Sequence, residues 1–163
     1  MSGFVARTGR LQQRYEGGFR LIAGMSKNMS LRFVLSSSKL MKNQTWITNG
    51  GWETDETAEQ AAARESIEEA GVRGDLVHFL GFYAFRSKKL KDEFSPEGLC
   101  KAAMYALLVK EELESWPEKS LRQRSWLKIP EAIQFCKHSW MREALEEGFS
   151  KWYIKHNPNS TIE

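Results

Sequence analysis

Cysteine is scarce in this chain: Cys100 and Cys136 are the only two among 163 residues. A disulfide-stapled scaffold is thereby excluded, and the spacing of the pair matches no zinc pattern, so a reducing compartment is expected. Four prolines and twelve glycines are too few for a collagen-like or disordered chain. There is no internal repeat and no low-complexity tract. No stretch approaches the ~20 consecutive apolar residues that a bilayer-spanning helix needs. The opening, Met1-Ser2-Gly3-Phe4-Val5-Ala6-Arg7, lacks the apolar core of a secretory signal. A cytoplasmic or nuclear location is the expectation, with removal of a signal peptide as the alternative. His78, His138 and His156 are too scattered to suggest a triad or a metal set.

What the chain does contain is 41% hydrophobic residues, six tryptophans, and 24 basic against 21 acidic side chains, a net charge of +3. Such a composition suits a globular chain with a sizeable core. We read one domain over residues 7–156 and a frayed tail over 157–163. The slight positive charge is compatible with polyphosphate or nucleic-acid ligands. Neither a membrane nor a stable protein partner is expected.

Apolar, β-prone residues at 19–23 and 31–35 predict two adjacent strands with a turn at Lys27-Asn28. A short strand over 45–48 should lead into Asn49-Gly50-Gly51, a chain breaker. From Thr57 to Ala70 the residues are good helix formers, and Gly71 suits a left-handed C-terminal cap. Apolar runs at 76–85 and 102–109 predict paired strands joined by a polar loop, Ser87 to Gly98. A further strand over 125–129 precedes a helix opened by Pro130 and ending at Phe135. A last helix from Trp140 to Lys155 carries Met141, Leu145 and Phe149 as an apolar stripe. Strands interleaved with three helices indicate an α/β class, an α/β/α sandwich around a mixed sheet.

The chemistry concentrates between Gly50 and Val72. On a helix, Glu65, Glu68 and Glu69 are three and four residues apart, so their carboxylates share a face. Arg64 can reach Glu68 at i+4, yet one guanidinium does not neutralise three carboxylates. A hard divalent cation with oxygen ligands does, which points to Mg²⁺, with Mn²⁺ as a substitute. Gly50 and Gly51 allow close backbone approach to a metal or a phosphate. For any isolated Glu-Glu pair the plainer reading is a solvated helix face.

The segment resembles the Nudix box, Gly-x5-Glu-x7-Arg-Glu-U-x-Glu-Glu-x-Gly-U with U aliphatic. Gly50, Glu56, Arg64, Glu65, Glu68, Glu69 and Gly71 fill its fixed positions, and Val72 fits the last U. Ser66 departs at the first U, where a hydroxyl can bond back to the preceding turn. The resemblance implies a Nudix hydrolase that cuts a diphosphate linkage with Mg²⁺ and water. It implies Glu65 and Glu69 as metal ligands, Glu68 as general base or further ligand, Arg64 as the group that orients them, and Glu56 as support for the loop. The Asn49 carbonyl would also meet the metal. An acid from the polar loop, Asp92, Glu93 or Glu97, would assist.

Beyond the box, Arg7-Thr8-Gly9-Arg10, Gln13-Arg14-Tyr15, Phe19-Arg20-Leu21, Ser36-Ser37-Ser38-Lys39 and Arg122-Gln123-Arg124-Ser125-Trp126 are similar to the diphosphoinositol polyphosphate and diadenosine polyphosphate phosphohydrolase branch, with plant and microbial eukaryotic members nearest. By that resemblance Arg14, Arg20, Lys39, Gly50, Gly51, Arg122 and Arg124 would bind a small polyphosphate substrate, with Arg86, Lys88 and Lys89 extending the patch. Thr48-Asn49 replaces the branch's usual Pro followed by Lys or Gly, and the Ser26 to Ser30 linker is short. Two alternatives stay open. One is removal of the messenger RNA cap, including by an effector delivered into a host cell; the other is a Nudix module that binds a polyphosphate or protein without turnover.

Overall fold

The computed structural model describes residues 12–28, 32–38 and 48–159. The strand with the longest apolar run organises it. β6 (Leu99–Glu112) is buried on both faces, as expected of a central strand covered by helices on either side. Its alternate residues divide into two cores: Ala102, Met104 and Ala106 face one way, Ala103, Tyr105, Leu107 and Val109 the other. β2 (Phe19–Asn28) pairs with it in parallel and β5 (Val72–Arg86) antiparallel. β1 (Tyr15–Glu16) and β4 (Thr48–Gly51) pair in turn along the other edge of β2, completing five strands.

Helix α1 (Ala58–Ala70) covers the second core through Ala58, Ala61, Ala62 and Ala70; small side chains there bring its backbone close to the sheet. Its ends are locally encoded. Thr57 and Gln60 form a reciprocal capping box, and Gly71 closes the helix at φ 61°. The opposite face is covered by α2 (Ile129–Phe135) and by a continuous C-terminal helical stretch. That stretch starts as α3 (Ser139–Glu143), passes through a π-helical segment Ala144–Ser150 and ends as α4 (Lys151–His156). Met141, Leu145 and Phe149 are fully buried along it, as their spacing predicts. The observed α/β/α sandwich with a mixed sheet is the expected class.

Three local expectations are corrected. Lys27-Asn28 is no turn: both residues lie in β2, where parallel pairing with Leu107 and Leu108 overrides turn propensity. β3 (Arg32–Ser38) does not pair with β2 but forms a separate two-stranded sheet with β7 (Arg122–Lys128). Asn49-Gly50-Gly51 is strand rather than breaker, paired with Gly24, Ala23 and Ile22; residues 45–47 lie outside the described residues. At the end of α4 the Asn157 backbone N–H donates to the Tyr153 carbonyl at 2.9 Å. Cys100 and Cys136 are free and buried, and burial pushes the Cys136 thiol up to about 11. Among the described residues no helix is long and apolar enough to cross a membrane.

Candidate active site

Helix α1 carries its acidic residues toward β4 and toward the loop between β6 and β7, and Arg64 sits at the centre. Its Nη2 donates to the Gly51 carbonyl and to Glu56 Oε1, both at 2.7 Å. Its Nε donates to Glu56 Oε2 at 3.1 Å, and Nη1 reaches Glu65 Oε1 at 2.7 Å and Glu68 Oε2 at 3.3 Å. One guanidinium thus ties three carboxylates to the glycine strand, the geometry for which its planar fork is suited. Burial works against the charge of Arg64, but its bonds to Glu56 and Glu65 outweigh that and raise its pKa. Glu56 also accepts the Glu53 N–H at 3.1 Å, stiffening the turn before α1.

Glu65, Glu68 and Glu69 are all buried, between 4% and 7% exposed. Burial pushes Glu65 up to about 7; Arg64 pulls it back, while Glu68 and Glu118 push in the same direction as burial. Gly50 makes this placement sterically feasible, because a β-carbon there would meet the Glu65 carboxyl at 2.0–2.1 Å. Ser66 is buried beneath the helix, where its hydroxyl donates to the Ala63 carbonyl at 2.7 Å, with the Val72 carbonyl at 3.0 Å as the alternative acceptor. The back-bonding foreseen for it is therefore present.

The other half of the site comes from the β6–β7 loop and β7. Arg122 Nη2 lies 2.5 Å from Glu69 Oε1, while its Nε meets Glu118. Glu118 is anchored to α1, its backbone N–H donating to the Glu68 carbonyl at 3.0 Å. Arg124, two residues along the strand from Arg122, also turns toward α1. Its Nη1 donates to the carbonyls of Ala70 at 3.2 Å, Gly71 at 2.8 Å and Leu113 at 3.3 Å, and its guanidinium stacks 4.8 Å above Trp116. No basic residue occupies the last turn of α1, so Arg124 supplies the positive charge that the helix C-terminus favours.

The remaining predicted residues are dispersed. Arg14 stacks 4.8 Å over Trp52 and donates to the Thr54 carbonyl at 3.1 Å and the Glu56 carbonyl at 3.3 Å, bracing the loop before α1. Arg20 is buried 3.7 Å from Asp92. Asn49 contributes backbone to β4 beside Gly24, and Lys39 lies outside the described residues. Of the loop acids, Asp92 bonds Tyr15, which together with the Ser95 and Phe94 amides holds its carboxyl below the usual range. Glu97 pairs with Arg86 at 3.0 Å, and Glu93 is exposed. The extra acid among the box carboxylates is Glu118, from a different loop and carrying no motif.

Beside Gly50 and Gly51 opens a cleft of about 390 Å³. Ile22, Phe85, Trp140 and Met141 form an apolar wall, with Phe85 and Trp140 stacked at 4.7 Å. Cations form much of the rest: Arg20, Arg86, Lys88, Lys89 and Lys137, with His138 alongside. Lys137 and His138 escaped sequence reading because they follow α2 and reach the cleft only through the packing of that helix.

Among the described residues no three Asp, Glu, His or Cys side chains converge to cage a metal; guanidinium groups lie between the carboxylates instead. The donor set nevertheless fits a hard cation. Five carboxylates, Glu56, Glu65, Glu68, Glu69 and Glu118, pair with two guanidiniums, Arg64 and Arg122, a surplus of acidic oxygens that a hard cation suits.

Comparison with known proteins shows the family. The NUDIX domain model matches residues 32–148. Nudix hydrolase 16, mitochondrial, of Arabidopsis thaliana is 55% identical, with 94% of this chain and 92% of that one covered. Nudix hydrolase 12, mitochondrial, of the same plant is 43% identical over 90% and 81%. Diphosphoinositol polyphosphate phosphohydrolase 2 of Rattus norvegicus is 33% identical over 79% and 68%. Among solved structures, a C. elegans Ap4A hydrolase shares the fold at TM-score 0.61 and 17% identity, covering 83% of this chain and 98% of that one. The mitochondrial names of the plant relatives overturn the expected cytoplasmic or nuclear location. The chain belongs to the Nudix hydrolase family, whose members are pyrophosphohydrolases that generally use divalent metal ions.

Proposed function

We propose that this chain hydrolyses a diphosphate linkage in a compact, highly anionic substrate, a diphosphoinositol polyphosphate or a diadenosine polyphosphate. The cleft beside Gly50 and Gly51 carries the reading, because five cationic side chains line a space that shares Gly50 with the carboxylate site, where the Glu65 carboxyl packs over that glycine. Guanidinium and ammonium groups at such a position bind several phosphates at once and hold one linkage against α1. The relationship to the rat phosphohydrolase, at 33% identity, supports the same substrate class.

In this reading Glu65 and Glu69 would hold Mg²⁺, with the Asn49 carbonyl as a further donor. The cation supplies neutralisation of phosphate charge and a more acidic water. Glu68 takes the proton of the attacking water, or serves as a further ligand. Arg64 fixes the carboxylate positions through its bonds to Glu56, Glu65 and Glu68. Arg20 and the cleft lysines bind and orient the phosphates. Arg14 and Arg124 act through the fold, since their donors are directed to backbone carbonyls.

The described tryptophans lend the capped-RNA alternative no support. Trp52 lies under Arg14, Trp116 under Arg124, Trp140 against Phe85 and Trp152 against His78, while Trp126 packs against the second core and donates its indole N–H to Glu112 at 3.3 Å. The test is product release with Mg²⁺ from diphosphoinositol pentakisphosphate, diadenosine polyphosphates and cap-labelled RNA side by side, with Glu69→Gln as the blank. Release from either of the first two, lost in the variant, is expected. Release from capped RNA alone, or from none by a folded protein, would overturn the proposal.

A further inference from the structure

Glu69 and Arg122 pose a problem for metal entry. The Glu69 side chain is 5% exposed and already carries a guanidinium at 2.5 Å. A divalent cation arriving at its oxygens meets a like charge at contact distance, which a buried, weakly screened site makes costly. Arg122 therefore has to withdraw from Glu69 while remaining neutralised.

The β6–β7 loop provides the place. Arg122 engages two carboxylates through different edges of its guanidinium, Nη2 toward Glu69 and Nε toward Glu118. Glu118 cannot readily follow it. The Glu118 N–H is tied to the Glu68 carbonyl, and its own carbonyl accepts the N–H groups of Leu121 at 2.9 Å and Arg122 at 2.8 Å. Trp116 pins the loop further upstream by packing over Gly71, where a β-carbon would meet the indole at 2.5 Å. The side chain of Glu118 is also more accessible than that of Glu69, 26% against 5%. It is a fixed, partly hydrated anion beside a buried one.

We propose that Glu118 is a positioning residue that retains Arg122 when a divalent cation takes the Glu69 oxygens, making Arg122 a pivoting counter-ion rather than a permanent block. The inference rests on the metal-dependent reading of the site. In the metal-free protein Arg122 bridges both carboxylates; with a cation present it swings onto Glu118 alone. Glu118 acts on the cation through Arg122 and is not itself a ligand.

The test is Mn²⁺ binding to the EDTA-stripped full chain, followed by electron paramagnetic resonance of the free ion, with Mg²⁺-induced thermal stabilisation as a second readout. Arg122→Gln removes the guanidinium from Glu69 and should bind Mn²⁺ more tightly than wild type. Glu118→Gln leaves Arg122 with Glu69 alone and should weaken binding by about tenfold, the size expected for a partly buried charged pair. In the Arg122→Gln background the same Glu118→Gln change should cost less than about twofold, because the group it acts through is gone. An equal loss in both backgrounds would overturn the pivot and make Glu118 a direct ligand. Weaker binding by folded Arg122→Gln would overturn it as well. Absence of Mn²⁺ uptake by wild type and all variants would instead overturn the underlying metal reading, and the pivot with it. Circular dichroism of each variant separates these outcomes from misfolding.

Discussion

The carboxyl group of Glu65 lies directly over Gly50, so close that a β-carbon at that position would fall 2.0 Å from its carboxyl carbon. Gly50→Ala must therefore displace Glu65, and with it the bond from Arg64. Displacement of a reacting group by about 1 Å costs roughly 10²-fold in rate. Gly50→Ala is expected to lose about that factor in kcat on whichever polyphosphate the wild type hydrolyses, while its circular dichroism stays native. Retention of wild-type kcat would show that Glu65 is not needed where it stands.

Arg124 and Arg122 are neighbours on one strand face with different expected phenotypes. Arg124→Ala takes a donor from the carbonyls of Ala70, Gly71 and Leu113, of which Gly71 keeps the Leu113 N–H at 2.7 Å, and removes the positive charge at the α1 C-terminus. The expected cost is about 2 kcal/mol of stability, with KM changed by less than about twofold. Chemical denaturation alongside steady-state kinetics checks both. A large rise in KM with unchanged stability would move Arg124 into the substrate site.

Glu65 gives the metal-free protein a defined pH dependence. Its carboxyl stands at about 7 in the folded chain against 4.5 when unperturbed, chiefly through burial. The folded state therefore holds the proton more tightly. This contribution to stability is fully present below 4.5 and is lost as pH rises toward 7. Thermal melting in EDTA between pH 4.5 and pH 8 should show a decline that Glu65→Gln, which has no proton to lose, does not share. Parallel profiles for the two proteins would refute the assignment.

Lys137 tests the cleft from a residue outside the box. Its ammonium stands at the cationic rim with Lys88 and Lys89, so Lys137→Gln should raise KM for a polyphosphate about 3- to 10-fold with little change in kcat. The difference should shrink in 0.5 M salt, where the Debye length is only a few ångströms. An unchanged KM at low salt would take the substrate out of this cleft.

Much of the carboxylate helix was legible in the sequence because its determinants are local. Thr57 and Gln60 close its start, Gly71 ends it, and the i+4 reach of Arg64 to Glu68 follows from helix geometry. The buried stripe of Met141, Leu145 and Phe149 was legible for the same reason. The length of β2 was not, because turn propensity at Lys27-Asn28 yields to a partner strand some eighty residues away. Likewise, nothing local marks Glu118, which reaches the box carboxylates through a backbone bond to α1.

By itself, then, the sequence determined that a capped helix would present a row of carboxylates behind a glycine pair, and that strands would alternate with helices about it. Propensity, capping and three-to-four-residue spacing act over one or two turns of chain and need no knowledge of neighbours. Only the tertiary structure decided which cation faces which carboxylate. Arg64 and Arg122 divide the acids between them, Arg124 serves the helix end, and Lys137 enters the cleft from beyond α2. Those pairings join segments far apart in the chain, and their energies depend on burial and on a few ångströms of separation, quantities that exist only once the sheet has brought the segments together.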